Sequence, residues 1–178
     1  LLNEVLKSKY VSFKDGTEII NINNEDIDNS FLETKNFDLY FKMLVAADGR
    51  FSKTRYHANI KYYYHDYQQT AFVFNISHSN KHHGVALERF FPTGPLAVLP
   101  VNNSKINQSS IVWTVDTIVA TDKKFKENFK EEFEKKYDNF FGKLISLSEV
   151  KKYPLNVFSC YDIFKKNIVF ATAESFWI

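Results

Sequence analysis

Five glycines serve 178 residues, and Gly16, Gly49, Gly84, Gly94 and Gly142 all stand apart from one another. A dinucleotide-binding G-x-G-x-x-G loop or a Walker A loop needs clustered glycines, because only a bare backbone brings its N–H groups close enough to a phosphate. Neither loop can be written anywhere in this sequence. A chain of this length makes one domain, or one complete and one partial. With 44% hydrophobic residues, 18 Phe, 10 Tyr and 2 Trp, it has the material for a packed core and is not disordered.

Charge and length of apolar runs remove further classes. The formal net charge is +2, and among 23 basic residues only Arg50, Arg55 and Arg89 carry a guanidinium fork suited to phosphate or base recognition. No nucleic-acid protein is indicated. No apolar run approaches the roughly 20 residues of a membrane-spanning helix. The single cysteine, Cys160, cannot close an internal disulfide, which fits a reduced, cytoplasmic setting. Leu1 to Lys9 lack the basic region and cleavage pattern of a signal peptide.

Periodicity predicts an α+β chain. Leu1–Ser8 reads as the end of an amphipathic helix, and Val11–Phe13 and Glu18–Ile22 as short strands turning at Asp15-Gly16. Residues 23–36 read as loop or irregular hairpin, Leu39–Ala47 as one strand, and Ser52–His57 as a short helix. From Tyr62 the texture is aromatic and alternating. Ala71, Val73 and Asn75 face one way, and Phe72, Phe74 and Ile76 the other. Strands over Gly84–Phe91, Leu96–Val101 and Ser110–Asp116 complete an antiparallel sheet. Asp122–Leu144 predicts one amphipathic helix, with Phe125, Phe129, Phe133, Tyr137 and Phe140 along its buried stripe. Tyr153–Cys160 and Asn167–Ala173 are the last strands.

The sharpest local signal is Ala47-Asp48-Gly49-Arg50-Phe51-Ser52-Lys53-Thr54-Arg55, of the form A-D-G-x-x-S-x-x-R, where a strand turns into a helix. Gly49 permits a tight turn, and the helix start offers free N–H groups to an anion. Asp48 could accept from ribose hydroxyls and Arg55 could meet a pyrophosphate. The same residues also spell an ordinary Asp-Gly turn with Ser52 as N-cap. Among the histidines, His78, His82 and His83 lack a third ligand at a recognisable spacing, so no metal site is expected. His82 and His83 read as loop before a strand, and Cys160 as a buried small residue. Glu88 and Arg89 must point to opposite faces of their strand, as a structural pair of positions or as groups that place a substrate. No Ser-His-Asp or Cys-His arrangement is present, and the catalytic residues stay unassigned.

The Asp-Gly segment resembles the D-G motif of the FAD-dependent aromatic hydroxylases related to para-hydroxybenzoate hydroxylase. The stretch His82-His83-Gly84-Val85-Ala86-Leu87-Glu88-Arg89-Phe90-Phe91-Pro92-Thr93-Gly94-Pro95-Leu96-Ala97-Val98-Leu99-Pro100 resembles a block of that family's ubiquinone-biosynthesis subfamily, as do Ser110–Thr114 and Tyr153-Pro154-Leu155. The resemblance implies the substrate domain of such a flavoprotein with part of its FAD-binding domain. It implies FAD as cofactor, NAD(P)H as co-substrate, and transfer of one atom of O₂ to the aromatic ring of a lipophilic quinone precursor. It makes Asp48, Gly49, Ser52 and Arg55 cofactor-binding, and Glu88, Arg89, Pro92, Gly94 and Pro95 pocket or flavin-proximal.

Two of the family's three flavin motifs have no counterpart here. The Gly-rich loop is missing, and after the last strand the chain reads Ala171-Thr172-Ala173-Glu174 where the family has Gly-Asp. The expected organisation is therefore a partial FAD-binding domain over 1–57, a substrate domain over 58–158 with its helix at about 122–144, and a truncated return strand over 159–178. Leu1 in place of a leading Met agrees with a truncated or split reading frame. Such a chain is expected to bind FAD poorly and to be inactive alone, with a complementary N-terminal fragment as possible partner and at most peripheral membrane contact. The competing expectation is a non-catalytic module that holds an apolar ligand or a partner fragment.

Overall fold

Alternating aromatic and small residues build one long strand, and the six-stranded sheet of the chain is organised around it. The computed structural model describes residues 2–101 and 107–171. The chain divides into two units, Leu1–Tyr64 with Phe158–Ile178, and His65–Val157. The first crossing falls later than the predicted boundary after His57. Ala58 and Ile60 pack in the core of unit 1, so the chain is still held there.

In unit 1, α1 (Leu2–Lys7) buries no residue. Strands β1 (Ile19–Asn23), β2 (Phe31–Thr34) and β3 (Asp38–Tyr40) form an antiparallel sheet in that order. A second three-stranded sheet contains β4 (Leu44–Ala46), which lies parallel to β12 (Ile168–Phe170), and β12 pairs with β11 (Phe164–Lys165). Between β4 and the long strand stands α2 (Lys53–His57). The core of unit 1 is small: Ile22, Ala46, Ala58, Ile60, Ile168 and Phe170.

Unit 2 is built on β5 (Tyr62–His78), whose first residues belong to unit 1, with β6 (Leu87–Phe91), β7 (Gly94–Pro100), β8 (Gln108–Asp116), β9 (Leu144–Leu147) and β10 (Lys151–Cys160), whose residues from Phe158 on belong to unit 1. The order is β10-β5-β8-β7-β6, with β9 also on β5. Alternation along β5 puts Phe72, Phe74 and Ile76 on one face with Leu96, Val98, Ile111 and Trp113. Helices α3 (Thr117–Thr121), α4 (Lys123–Glu127) and α5 (Phe129–Tyr137) cover that face with Phe125, Phe129, Phe133 and Tyr137. Fully burying one such ring stabilises the fold by about 2–3 kcal/mol.

Three predictions need correction. The single helix over Asp122–Leu144 is two helices, interrupted at Asn128 and ended at Asp138, whose φ of 55° and that of Asn139 at 50° turn the chain left-handed. Asp and Asn tolerate that region, and helices commonly end in it. Phe140 thereby leaves the buried stripe and is 44% exposed, while Phe141 takes a core position. Leu39–Ala47 is two strands, because β3 belongs to one sheet and β4 to the other. Val11–Phe13 is not a strand, whereas residues 23–36, expected as loop or irregular hairpin, do carry an irregular hairpin, in which β2 pairs antiparallel with β1 across a register shift. The family comparison at Thr172–Glu174 lies outside the described residues.

Candidate functional site

The Asp-Gly segment forms a self-satisfied turn. Gly49 has φ +79° with nothing within 4 Å of where a Cβ would stand, and the Ser52 N–H donates to its carbonyl at 3.1 Å. Helix α2 begins with free backbone donors, and two are met locally. Ser52 Oγ accepts from the Arg55 N–H at 2.9 Å, and Asp48 Oδ2 accepts from the Thr54 N–H at 3.0 Å. Burial raises the Asp48 carboxyl pKa, but hydrogen bonds from Ser52 and Thr54 outweigh this and hold it below its ordinary value.

The four predicted cofactor residues therefore divide. Asp48 and Gly49 are exposed, whereas Ser52 and Arg55 are buried. The Arg55 guanidinium lies over the Tyr62 ring at 4.6 Å and the Phe158 ring at 5.6 Å, and its Nη2 donates to the Arg50 carbonyl at 2.7 Å. Phe158 also meets Phe51, Tyr62 and Tyr64, with ring centroids 5.8, 5.4 and 4.8 Å away. Arg55 thus ties the turn to an aromatic box rather than presenting its fork outward. A flavin nucleotide would find here an open glycine and one partly engaged carboxylate. These residues fit an edge contact with FAD and do not by themselves form a binding site.

The second set of predicted residues lies on β6 and β7. They form a hairpin through Pro92 and Thr93, pairing Leu87 with Val98 and Phe91 with Gly94. Glu88 and Arg89 do point to opposite faces. Arg89 shares the helix-covered face, where it sits over the Phe91 ring at 5.5 Å and 3.7 Å from Asp138. Glu88 shares the other face, in a cross-strand row with Ala97, Val112 and Val73. The next rows hold Ala71 beside Thr114, and Asn75 beside Ser110 and Leu99. On this face Val73, Ala97 and Val112 are partly exposed while Ala71 and Thr114 are buried, and none of its residues belongs to the aromatic core cluster on the other side. At Gly94, φ is +120° and a Cβ would stand 2.4 Å from the Thr114 carbonyl oxygen. Its glycine is required by strand packing. Pro92 is exposed, and Pro95 is half-buried opposite Phe90.

Sequence reasoning missed Thr54, Tyr62 and Phe158. Thr54 carried a readable signal, because Asp48 and Ser52 both precede the helix start at capping distance. Phe158 carried none, since only the fold brings it to Arg55. Among the described residues no group of three or more His, Cys, Asp or Glu is placed to hold a metal ion.

No family model matches the chain. Solved structures share its fold: p-nitrophenol 4-monooxygenase PnpA from Pseudomonas putida (TM-score 0.73, 14% identity, 96% of this chain and 44% of that one) and aklavinone-11 hydroxylase, solved with FAD and aklavinone (TM-score 0.59, 16% identity, 88% and 31%). The fold is that of the FAD-dependent aromatic hydroxylases, with an antiparallel sheet like that of their substrate-binding domains. In sequence, the curated relatives of the chain include ubiquinone hydroxylases. They include UbiL of Rhodospirillum rubrum (37% identical over 103 residues, 57% of this chain and 23% of that protein) and UbiM of Neisseria meningitidis (31% over 116 residues, 64% and 24%). Zebrafish COQ6, a ubiquinone biosynthesis monooxygenase of Danio rerio, is 39% identical over 77 residues, 43% of this chain and 15% of that protein. The chain matches about a quarter or less of the length of these relatives.

Proposed function

We propose that this chain is the Asp-Gly turn and substrate-domain portion of an FAD-dependent monooxygenase that hydroxylates the aromatic ring of a polyprenylated ubiquinone precursor. The observation that carries the reading is the face of unit 2 opposite its aromatic core, where Val73, Val112 and Ala97 are partly exposed with Glu88 at the margin, in a chain whose relatives include ubiquinone hydroxylases. A planar ring can lie flat against such a face, because no long side chain stands up from its centre. Bound FAD would supply the activation of O₂, with NAD(P)H as reductant; the protein's part is to orient the ring and keep water away. Asp48 and Gly49 would meet the cofactor directly, while Ser52 and Arg55 hold the turn that presents them. Pro92, Gly94 and Pro95 shape the hairpin beside the ring, and Arg89 anchors that hairpin from the other face.

The work is divided between this chain and a complementary segment carrying the Gly-rich loop. The self-satisfied turn supports this division, since the donors and the guanidinium that would grip a phosphate are already engaged. Alone, the chain is inactive and acts as a binding module. Its setting is cytoplasmic, with peripheral approach to the inner face of the membrane where a polyprenyl substrate resides; among the described residues no helix is long and apolar enough to cross a membrane. Titrating the purified chain with FAD by fluorescence quenching should give no stoichiometric sub-micromolar binding. Adding a co-expressed Gly-rich segment should restore it. Tight binding and ring hydroxylation by the chain alone would overturn the division of labour, and failure to bind a phenolic quinone precursor in any combination would overturn the substrate.

A further inference from the structure

The block His82–Pro100 begins with a strained turn whose acceptor is a buried imidazole. The His82 carbonyl accepts from the Val85 N–H at 2.8 Å, and His83 and Gly84 between them have φ of +50° and +76°. That is a primed turn, and a non-glycine residue at its first central position costs about 1–2 kcal/mol. The turn is pinned from inside. The Gly84 N–H donates to His82 Nδ1 at 2.9 Å, and the His82 ring is only 1% exposed. Nδ1 must therefore be unprotonated, so the neutral ring carries its hydrogen on Nε2. Nε2 is buried without a hydrogen-bond partner among the described residues.

His78 packs beside it, with ring centroids 6.3 Å apart, in the opposite tautomer. The Asn80 carbonyl lies 2.6 Å from His78 Nδ1, which must donate to it, and the Ser109 hydroxyl lies 3.0 Å from Nε2, which accepts from it while the ring is neutral. The Gly84 N–H requires His82 Nδ1 to be unprotonated, whereas the Ser109 hydroxyl can donate to or accept from His78 in either state. The groups facing the pair are His78 itself from the end of β5, Ser109 from β8, and Phe141 with the Tyr137 hydroxyl bonded to its N–H after α5. No carboxylate bonds to either ring among the described residues. Lys81 and His83 adjoin in sequence and are exposed.

We propose that His78 and His82 form a proton-operated latch on the lead-in to β6. A proton arriving on His82 Nδ1 replaces the acceptor of the Gly84 N–H with a donor, and the strained turn opens. A charge on one ring also disfavours a charge on the other, and no carboxylate among the described residues bonds to either to offset it. The direction agrees with His78, whose pKa is lowered chiefly by burial, which outweighs the opposing hydrogen bond to the Asn80 carbonyl, a charge on His82 adding a smaller push in the same direction. Its neutral form is favoured in the fold, so stability is full above the ordinary value of 6.5 and is lost as pH falls through the lower folded value. Opening would free the lead-in residues 83–86 while β6 stays paired with β7.

The test is amide hydrogen exchange on the full chain, corrected for intrinsic rates, with long-range ¹⁵N spectra of the imidazoles. Opening at Gly84 and Val85 should rise by up to about tenfold per pH unit below about pH 6.5, while the amides of Phe74 and Val112 stay protected. His82→Asn keeps a side-chain acceptor for the Gly84 N–H and cannot titrate, so it should flatten the pH response. Flat exchange in the unmodified chain, an acid response retained in His82→Asn, or one shared by Phe74 and Val112 would each overturn the latch. Spectra showing His82 protonated on Nδ1 at neutral pH would overturn it even if the variant failed to fold.

Discussion

In unit 2 a single sheet has one face covered by helices, and Phe72, Phe74, Trp113, Phe129 and Phe133 meet ring to ring with centroids 4.9–6.2 Å apart. In unit 1 two small sheets share a core of six buried residues, and Met43, Val45 and Tyr40 stand 65%, 57% and 70% exposed. The difference teaches where each part draws its stability. Unit 2 has enough apolar area on one side to fold around itself. Unit 1 has strands whose side chains are half used, and its order leans on polar ties: Lys165 Nζ on the Ala58 carbonyl at 2.7 Å, Lys166 Nζ on the Asn24 carbonyl at 2.7 Å, and Asn167 on Ser30 at 2.9 Å.

The most damaging way to probe this contrast is to cut one core at a time. Phe133→Ala should cost about 3–5 kcal/mol, because the ring is fully buried and its neighbours cannot collapse onto the gap. Ile168→Ala should cost about 2 kcal/mol, the low end for such a truncation, in a core with fewer neighbours. Hydrogen exchange should show protection falling throughout unit 2 in the first variant and within unit 1 alone in the second. Equal loss across the whole chain in both would erase the distinction between the units.

A smaller effect separates two roles for Arg55. In its aromatic box the guanidinium supplies stacking and one charged hydrogen bond, and a lysine has neither the plane nor the fork. Arg55→Lys should cost about 1–2 kcal/mol and Arg55→Ala about 3 kcal/mol, read as lost protection at Thr54 and Ala58. If the arginine served only a phosphate, Arg55→Lys would leave that protection unchanged in the free chain.

How much of this was legible depended on the range of the interaction. Alternation over Thr70–Ser77 gave the two faces of β5 because strand periodicity is local. The short helix after Ser52 was legible for the same reason, its cap and its first turn being adjacent in sequence. The broken helix was not, since Asn128 and Asp138 are tolerated inside helices and only packing of Phe133 and Phe141 on the sheet decides where the turns end. The D-G residues were found, but the burial of Arg55 needed Phe158, which arrives from the far end of β10. Likewise nothing local marks His82 as the pin of its turn: its chain neighbours His83 and Gly84 show the bend, and only the fold buries the ring against Phe141.

The smallest expected effect tests whether the Asp-Gly turn is held electrostatically. Asp48 is exposed, so its contribution is that of a capping group and no more. Asp48→Ala removes the acceptor of the Thr54 N–H and should cost about 1 kcal/mol at neutral pH, whereas Asp48→Asn keeps an acceptor and should cost a few tenths. Because the folded carboxyl pKa lies below its ordinary value of 3.8, the extra stability is fully present above that value and disappears as pH falls through the folded one. Stability curves of the unmodified chain and Asp48→Asn should therefore run apart at neutral pH and converge in acid. Parallel curves down to acid would mean that the carboxylate charge contributes nothing to the turn, leaving the Ser52 cap and the Arg55 box to hold it.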